Sequence, residues 1–231
     1  MLLAIDTATQ YLSLALHDGA ALHAEQTWHS PNMHTVQLAP AVRDLLARAE
    51  LTMSDLTALA VSTGPGSYTG LRIGVALAKG LAAARNLPLI GIPTLDIIAA
   101  AQPHFQGGLI AVVQAGRGRI IAAPYQWRKG HWKARGDAQL MDWATLIESI
   151  DGAALISGEV DDTGRRALAE AATPTPERET PVPVTLAAPV LRLRRAGYLA
   201  EEAWARLRED NDGFPAANVL PVYVKTKDIP A

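Results

Sequence analysis

Leu2-Leu3-Ala4-Ile5-Asp6-Thr7-Ala8-Thr9 opens the chain, and Tyr11 to Leu16 follows it before the dipeptide Asp18-Gly19. An apolar run that stops at an acid, a hydroxyl-rich turn and a second apolar run read as two strands. Asp-Gly is a strong hairpin signal because both residues tolerate positive φ. A third strand from Ala20 to Trp28 completes an antiparallel meander. Working outward, His29-Ser30-Pro31-Asn32 breaks the pattern, after which Val36, Leu38, Val42, Leu45, Leu46 and Ala49 recur at helical spacing. Thr35 is the expected cap, and Pro40 is expected to kink this helix or mark its first turn. Thr52 to Leu56 reads as a short capped turn and Leu56 to Val61 as a buried strand. Leu71 to Arg85 is a long helix, reached through Gly64-Pro65-Gly66-Ser67-Tyr68-Thr69-Gly70. A strand at Leu89 to Ile92 and a helix opened by Thr94 give the order βββαβαβα.

The rest of the chain repeats that order loosely. Leu109 to Val113, Arg119 to Trp127 and His131 to Arg135 read as strands joined by tight turns at Gly116 to Gly118 and Gly130. Asp142 to Ile150 is a helix, Ala153 to Ile156 a strand and Thr163 to Ala172 a helix. Prolines at 174, 176, 181, 183 and 189 make the next segment an extended loop with at most one edge strand. Val190 to Asp210 is the last helix, with pairs such as Glu202 and Arg206 at i,i+4. The order matches an α/β architecture of the actin-like ATPase (ASKHA) type, with two RNase H-like lobes of mixed sheet flanked by helices. Residues 1–103 form the N-terminal lobe, and residues 104–231 form a reduced C-terminal lobe with the last helix and a tail.

Composition limits the chemistry. The 231 residues carry 21 Lys or Arg against 23 Asp or Glu, a balance that excludes a polycationic nucleic-acid coat. The absence of cysteine excludes disulfide frameworks, thiolate metal sites and cysteine nucleophiles together. The start of the chain is a poor signal peptide, and the most apolar stretch, Leu71 to Ile92, is interrupted by Arg72, Lys79 and Arg85. A soluble cytoplasmic protein with no membrane association is expected. Up to Pro103 there are only five Lys or Arg and seven Asp or Glu, leaving 16 of each sign for the remainder. A charge-poor lobe must bury its surface in a core, a partner or both.

The glycine turn is informative by elimination. Leu71, not Lys, follows Gly70, so it is no Walker loop. Thr69 stands where a dinucleotide loop needs glycine, and Pro65 and Thr69 flank Ser67 where a nucleophile elbow needs glycines. A rigid strand-to-helix turn remains. Its amides, around Gly66 and Ser67, either serve structure alone or hold an anion at the helix N-terminus. Asp6, with Thr7 and Thr9, either accepts turn amides or receives metal-bound phosphate, as an acid at this point does in actin-like ATPases.

Arg72 opposes the dipole of its helix and needs an offsetting group, a neighbouring carboxylate, unless it simply reaches water. Further along, Gly70, Gly74, Ala78 and Ala82 form a smooth stripe beside the ridge Ile73, Leu77 and Leu81. One stripe suits the sheet and the other a partner helix. The six histidines include no i,i+4 pair of the zinc-hydrolase kind, and no metal is expected. Between Arg117 and Arg135 six cations (Arg117, Arg119, Arg128, Lys129, Lys133 and Arg135) occur without an acid, interleaved with Tyr125, Trp127, His131 and Trp132. Such a segment is either an RNA-touching surface or a solvated hairpin whose cations protect an edge strand.

Ala4-Ile5-Asp6-Thr7-Ala8-Thr9, the helix entry His34 to Pro40, the string Gly64 to Gly74 and the closing Leu220-Pro221-Val222-Tyr223-Val224-Lys225 resemble the bacterial TsaB family, once called YeaZ. The resemblance is dense over the first hundred residues and sparser beyond, through Ile110 to Tyr125 and the closing motif. It implies a role in forming N6-threonylcarbamoyladenosine (t6A) beside the tRNA anticodon, as a non-catalytic relative of the transferase TsaD. It also implies pairing with TsaD through first-lobe helices, with the ATPase TsaE joining and tRNA met indirectly or weakly. On this resemblance the partner face takes His34, Leu38, Val42 and Leu45 from one helix, and Gly70, Arg72, Ile73, Gly74, Leu77, Ala78 and Leu81 from the other. Gly74→Leu or Ala78→Arg is then expected to break the complex while leaving the monomer folded. Homodimers are expected without the partner, and no cofactor is expected. TsaD-type relatives carry a metal-binding histidine pair that this sequence lacks. Where the family often has Ile-Asp-Ala-Arg, this chain has Val113-Gln114-Ala115-Gly116 and then Arg117. An ASKHA-type small-molecule kinase and a glycopeptidase-like protein remain as alternatives.

Overall fold

Residues 1–174, 180–209 and 213–224 are described by the computed structural model. Pro176, Asp210 and Lys225, which enter the readings of the loop, the last helix and the closing motif, lie outside the described residues. The described residues form two units, those within 1–97 and 194–223 and those within 98–193 together with Val224.

The first unit starts from the meander. Strands β1 (Leu2–Asp6), β2 (Tyr11–His17) and β3 (Leu22–His29) are antiparallel, while β4 (Ala58–Gly64) and β5 (Leu89–Pro93) extend the sheet in parallel, giving the order β3-β2-β1-β4-β5. Side chains alternate between its faces. Leu3, Ile5, Leu12, Leu14, Leu16, Leu59 and Val61 point to one side, where helices α1 (His34–Arg48) and α2 (Tyr68–Arg85) cover them. Leu2, Ala4, Ala15, Ala58 and Ala60 point to the other, where Ala196, Leu199, Ala200 and Ala203 of a helix at Ala196–Glu209 pack. Alanines on both surfaces let that helix lie close to the sheet.

One detail of the first unit departs from expectation. Helix α1 begins at His34 after Met33, so Thr35 lies inside it and supplies no cap. Pro40 also lies inside the helix. It faces outward, where the carbonyl it leaves without an amide can turn to water. The 3-10 turn Met53–Asp55 carries the expected cap, in which Thr52 and Asp55 satisfy each other's amides reciprocally.

Helix α3 (Thr94–Ala100) spans the boundary between units. The second unit orders its sheet β11-β10-β6-β7-β8 from β6 (Gly108–Gly116), β7 (Arg119–Arg128), β8 (His131–Ala134), β10 (Ala154–Gly158) and the edge strand β11 (Val184–Leu186). A three-residue strand, β9 (Gln139–Met141), also pairs with β7 and is too short to show a period in the sequence. Helices α4 (Trp143–Glu148) and α5 (Asp162–Ala171) cover Val112, Ile120, Ala122 and Ile156.

In place of the single last helix expected from Val190 to Asp210 there are two, α6 (Pro189–Arg192) and α7 (Ala196–Glu209). Helix α7 joins the first unit, not the C-terminal lobe. The alanine-lined face of the first sheet is its site, and the break at Leu193 to Arg195 aims two arginines at that unit.

Candidate functional site

At the end of β1, Asp6 turns its side chain back under the following turn. Its Oδ1 accepts the Ala8 amide at 2.9 Å and its Oδ2 pairs with Nε of Arg194. The same guanidinium donates to Thr9 Oγ1 at 2.9 Å. Asp6 is 1% exposed and Arg194 4%. Thr7 Oγ1 donates to the Gly70 carbonyl at 2.7 Å. The Ser67 amide donates to the Ala8 carbonyl at 2.6 Å, and Ser67 Oγ caps α2 by accepting the Gly70 amide at 3.2 Å. The glycines are explained by this closeness. A Cβ on Gly66 would strike the Ala8 carbonyl, one on Gly70 the Thr7 carbonyl, and one on Gly74 the Thr7 hydroxyl.

The fold therefore gathers every residue proposed for an anion site: Asp6, Thr7, Thr9, Gly66 and Ser67. It also supplies internal partners for Asp6, Thr7, Thr9 and Ser67. The Ser67 and Gly70 amides have protein acceptors, and the Asp6 carboxylate faces a guanidinium held in the same buried pocket. A cation and its phosphate would have to displace that arginine from the carboxylate that compensates its burial. Arg194 has no local signal in the sequence because it lies 188 residues away inside an apparent helix. One indirect signal points to it. A lobe with only five Lys or Arg has few cations of its own to set against a buried acid, so a partner from elsewhere in the chain is favoured.

Helices α1 and α2 divide the residues proposed for the partner face. His34, Leu38, Val42 and Leu45 are buried, as are Gly70, Gly74 and Ala78. Arg72 is exposed, and Ile73, Leu77 and Leu81 are half-buried. The outward stripes are Val36, Ala39, Pro40, Arg43 and Ala47 on α1 and Ile73, Ala76, Leu77, Gly80 and Ala83 on α2. Nothing lies within 4 Å of a Cβ built on Gly80. The expectation for Gly74→Leu and Ala78→Arg is therefore corrected, because both positions press on the sheet and each substitution would disturb the protein's own fold.

Arg72 finds aromatic rings where a carboxylate was expected. Its guanidinium lies 3.9 Å above the Tyr68 ring, and its Nε donates to Tyr223 Oη at 3.2 Å. The bond to Tyr223 does most to hold its pKa above the usual arginine range, outweighing a smaller desolvation effect with lesser help from the two phenols. The tyrosine rings lie 5.1 Å apart, and the tail carrying Tyr223 is tied down by the Val222 amide on the Thr63 carbonyl at 2.7 Å. Tyr68, Leu220, Val222 and Tyr223 are exposed together beside the start of α2.

In the second unit Arg117 sits at the β6–β7 turn, and Arg128, Lys129 and Lys133 on the β7–β8 hairpin, all exposed. A cavity of about 600 Å³ lies on this unit's sheet, lined by Ile110, Pro124, Met141, Leu146 and Ile150 with Arg135 and Asp137 among its polar groups. Among the described residues no three His, Asp or Glu side chains gather as a metal-ligand set, and no helix is long and apolar enough to cross a membrane.

A meander extended by parallel strands, helices on both faces and a second mixed sheet define an actin-like ATPase fold. Component A of the (R)-2-hydroxyglutaryl-CoA dehydratase of Acidaminococcus fermentans shares it, with a TM-score of 0.52 at 12% identity over 90% of this chain and 98% of that one. The family model described as TsaD, tRNA N6-adenosine threonylcarbamoyltransferase, matches residues 29–158. The chain is 34% identical over 160 residues to the tRNA threonylcarbamoyladenosine biosynthesis protein TsaB of Bacillus subtilis, covering 68% of this chain and 70% of that protein. It is 39% identical over 127 residues to TsaB of Escherichia coli, where the match spans 54% of each. YeaZ from Pseudomonas aeruginosa superposes with a TM-score of 0.74 at 26% identity, covering 96% of this chain and 99% of the other. The chain belongs to the TsaB (YeaZ) family.

Proposed function

We propose that this chain is the non-catalytic subunit that binds and supports TsaD while TsaD forms t6A on tRNA. The observation that carries the proposal is the Asp6–Arg194 pair. Where a catalytic relative would receive metal-bound phosphate, this protein's own buried cation stands. A lobe closed in this way serves best as a scaffold, and the outward stripes of α1 and α2, poor in charge, offer the scaffold's docking face. The resemblance to families named for t6A synthesis supplies the pathway. On this reading TsaD occupies the helical face, TsaE joins the pair, and tRNA is met mainly through the assembly in the cytoplasm. A second copy of the chain covers the same face when TsaD is absent.

The test is co-purification with the cognate TsaD and TsaE. Ala39→Glu combined with Ala76→Glu places carboxylates on both outward stripes without touching the core, and it should abolish the complex while the isolated chain keeps its unfolding midpoint. Undiminished recovery of TsaD would refute the docking face.

A further inference from the structure

The basic segment between Arg117 and Arg135 suits either an RNA contact or edge protection by composition, and the strand register separates its components. Gln126 pairs with Lys133 and Arg128 with His131, so these four share one face of the β7–β8 hairpin. Trp127 pairs with Trp132 and Tyr125 with Ala134 on the opposite face. That aromatic face is turned into the protein. Trp132 is 8% exposed and donates its Nε1 to the Gln102 carbonyl at 3.2 Å. Trp127 lies between Trp132 and His104, with ring centroids 5.2 Å and 5.1 Å away.

The tip is Lys129-Gly130, both at positive φ (50° and 87°), which is the tight two-residue turn that matches strand twist and holds the cations in fixed register. Among the described residues no carboxylate pairs with Arg128, Lys129 or Lys133. Arg117 stands exposed at the neighbouring β6–β7 turn.

We propose that the outward face of this hairpin, with Arg128, Lys129 and Lys133, binds the phosphate backbone of tRNA and reads no base. The inference rests on the role in t6A formation and adds a direct RNA contact to it. Because the tryptophans face inward, the surface offers charge with the single imidazole of His131 and no indole platform. Its affinity should therefore be indifferent to sequence and steeply dependent on salt. The competing explanation is edge protection, since β8 ends the sheet order and lysines on an edge discourage pairing between molecules. Charge reversal discriminates between them, because a glutamate protects an edge as a lysine does but repels phosphate.

The experiment measures binding of a transcribed tRNA to the full chain, from about 50 to about 200 mM salt. Lys129→Glu/Lys133→Glu should weaken binding at low salt by about tenfold or more. It should also make the slope of log affinity against log salt shallower by about 2, roughly one unit for each phosphate that the variant no longer neutralises. Arg48→Glu/Arg208→Glu changes the net charge equally from exposed positions of the first unit and should keep the parental slope. Arg128→Gln/Lys133→Gln provides a second hairpin variant that adds no negative charge and should weaken binding in the same direction. Parental affinity and slope in both hairpin variants would overturn the proposal, as would an equal loss in the Arg48/Arg208 control. If this chain failed to raise t6A formation by TsaD, the role in modification would fall while the hairpin result stood by itself.

Discussion

Arg194→Met should be among the most damaging single changes in the first unit. It removes the cation opposite a carboxylate that is 1% exposed and strips Thr9 of the guanidinium donor to its hydroxyl. The methionine fills part of the space but leaves the Asp6 carboxylate with the Ala8 amide and no cation. Breaking a buried ion pair by deleting one member costs about 3–5 kcal/mol, because the remaining charge is buried without compensation. For a chain of this length each kcal/mol moves the midpoint by roughly 2–4 °C, so the first unit should melt about 6–20 °C lower. Asp6→Asn/Arg194→Met leaves a neutral pair of similar volume and should recover more than half of that loss. Scanning calorimetry with near-ultraviolet circular dichroism reads both. A single variant that melts within about 2 °C of the parent, or a double variant no better than the single, would refute the view that this pair closes the site.

Two further outcomes follow from local geometry. Gly74→Ala should cost about 1–3 kcal/mol, because its Cβ meets the Thr7 hydroxyl. Gly80→Ala on the same helix meets nothing within 4 Å and should stabilise by up to about 1 kcal/mol, so the reverse order in urea titrations would contradict the packing. The carboxyl of Asp18 is held well below the ordinary range, first by His23 and then by the Ala20 and Ala21 amides. A depressed folded-state pKa gives stability that is complete above the unfolded value, about 3.9, and is lost as pH falls below it. Asp18→Asn should flatten that acid limb of a stability-pH curve, and an unchanged limb would show that the bonds contribute nothing.

The first unit is legible in the sequence because its strands are short apolar runs bounded by turn signals and its glycine turn punctuates strictly. Leu3, Ile5, Leu14 and Leu16 fall on one face and Ala4 and Ala15 on the other, as the period of two requires. Long-range pairing is what the sequence does not provide. Arg194 reaches Asp6 and Tyr223 reaches Arg72 across most of the chain, and neither has a local signal. The apolar stripes of α1 and α2 are visible, but periodicity does not say which stripe faces the sheet. Gly70, Gly74 and Ala78 suit a partner helix as well as they suit the Thr7 turn, and only the close approach of β1 decides between them. The break between α6 and α7 is hidden because Leu191 to Arg195 continues a helical composition with no glycine or proline to end it.

The most direct measurement is t6A formation by purified TsaD and TsaE on an unmodified tRNA transcript, with and without this chain. Addition of the chain should raise t6A strongly, and the Asp6→Asn/Arg194→Met chain should do so as well as the parent, because the proposed scaffold role gives neither residue a part in chemistry. Equal t6A without the chain would contradict the scaffold role, and stimulation lost in the folded Asp6→Asn/Arg194→Met chain would show that Asp6 has a chemical task after all.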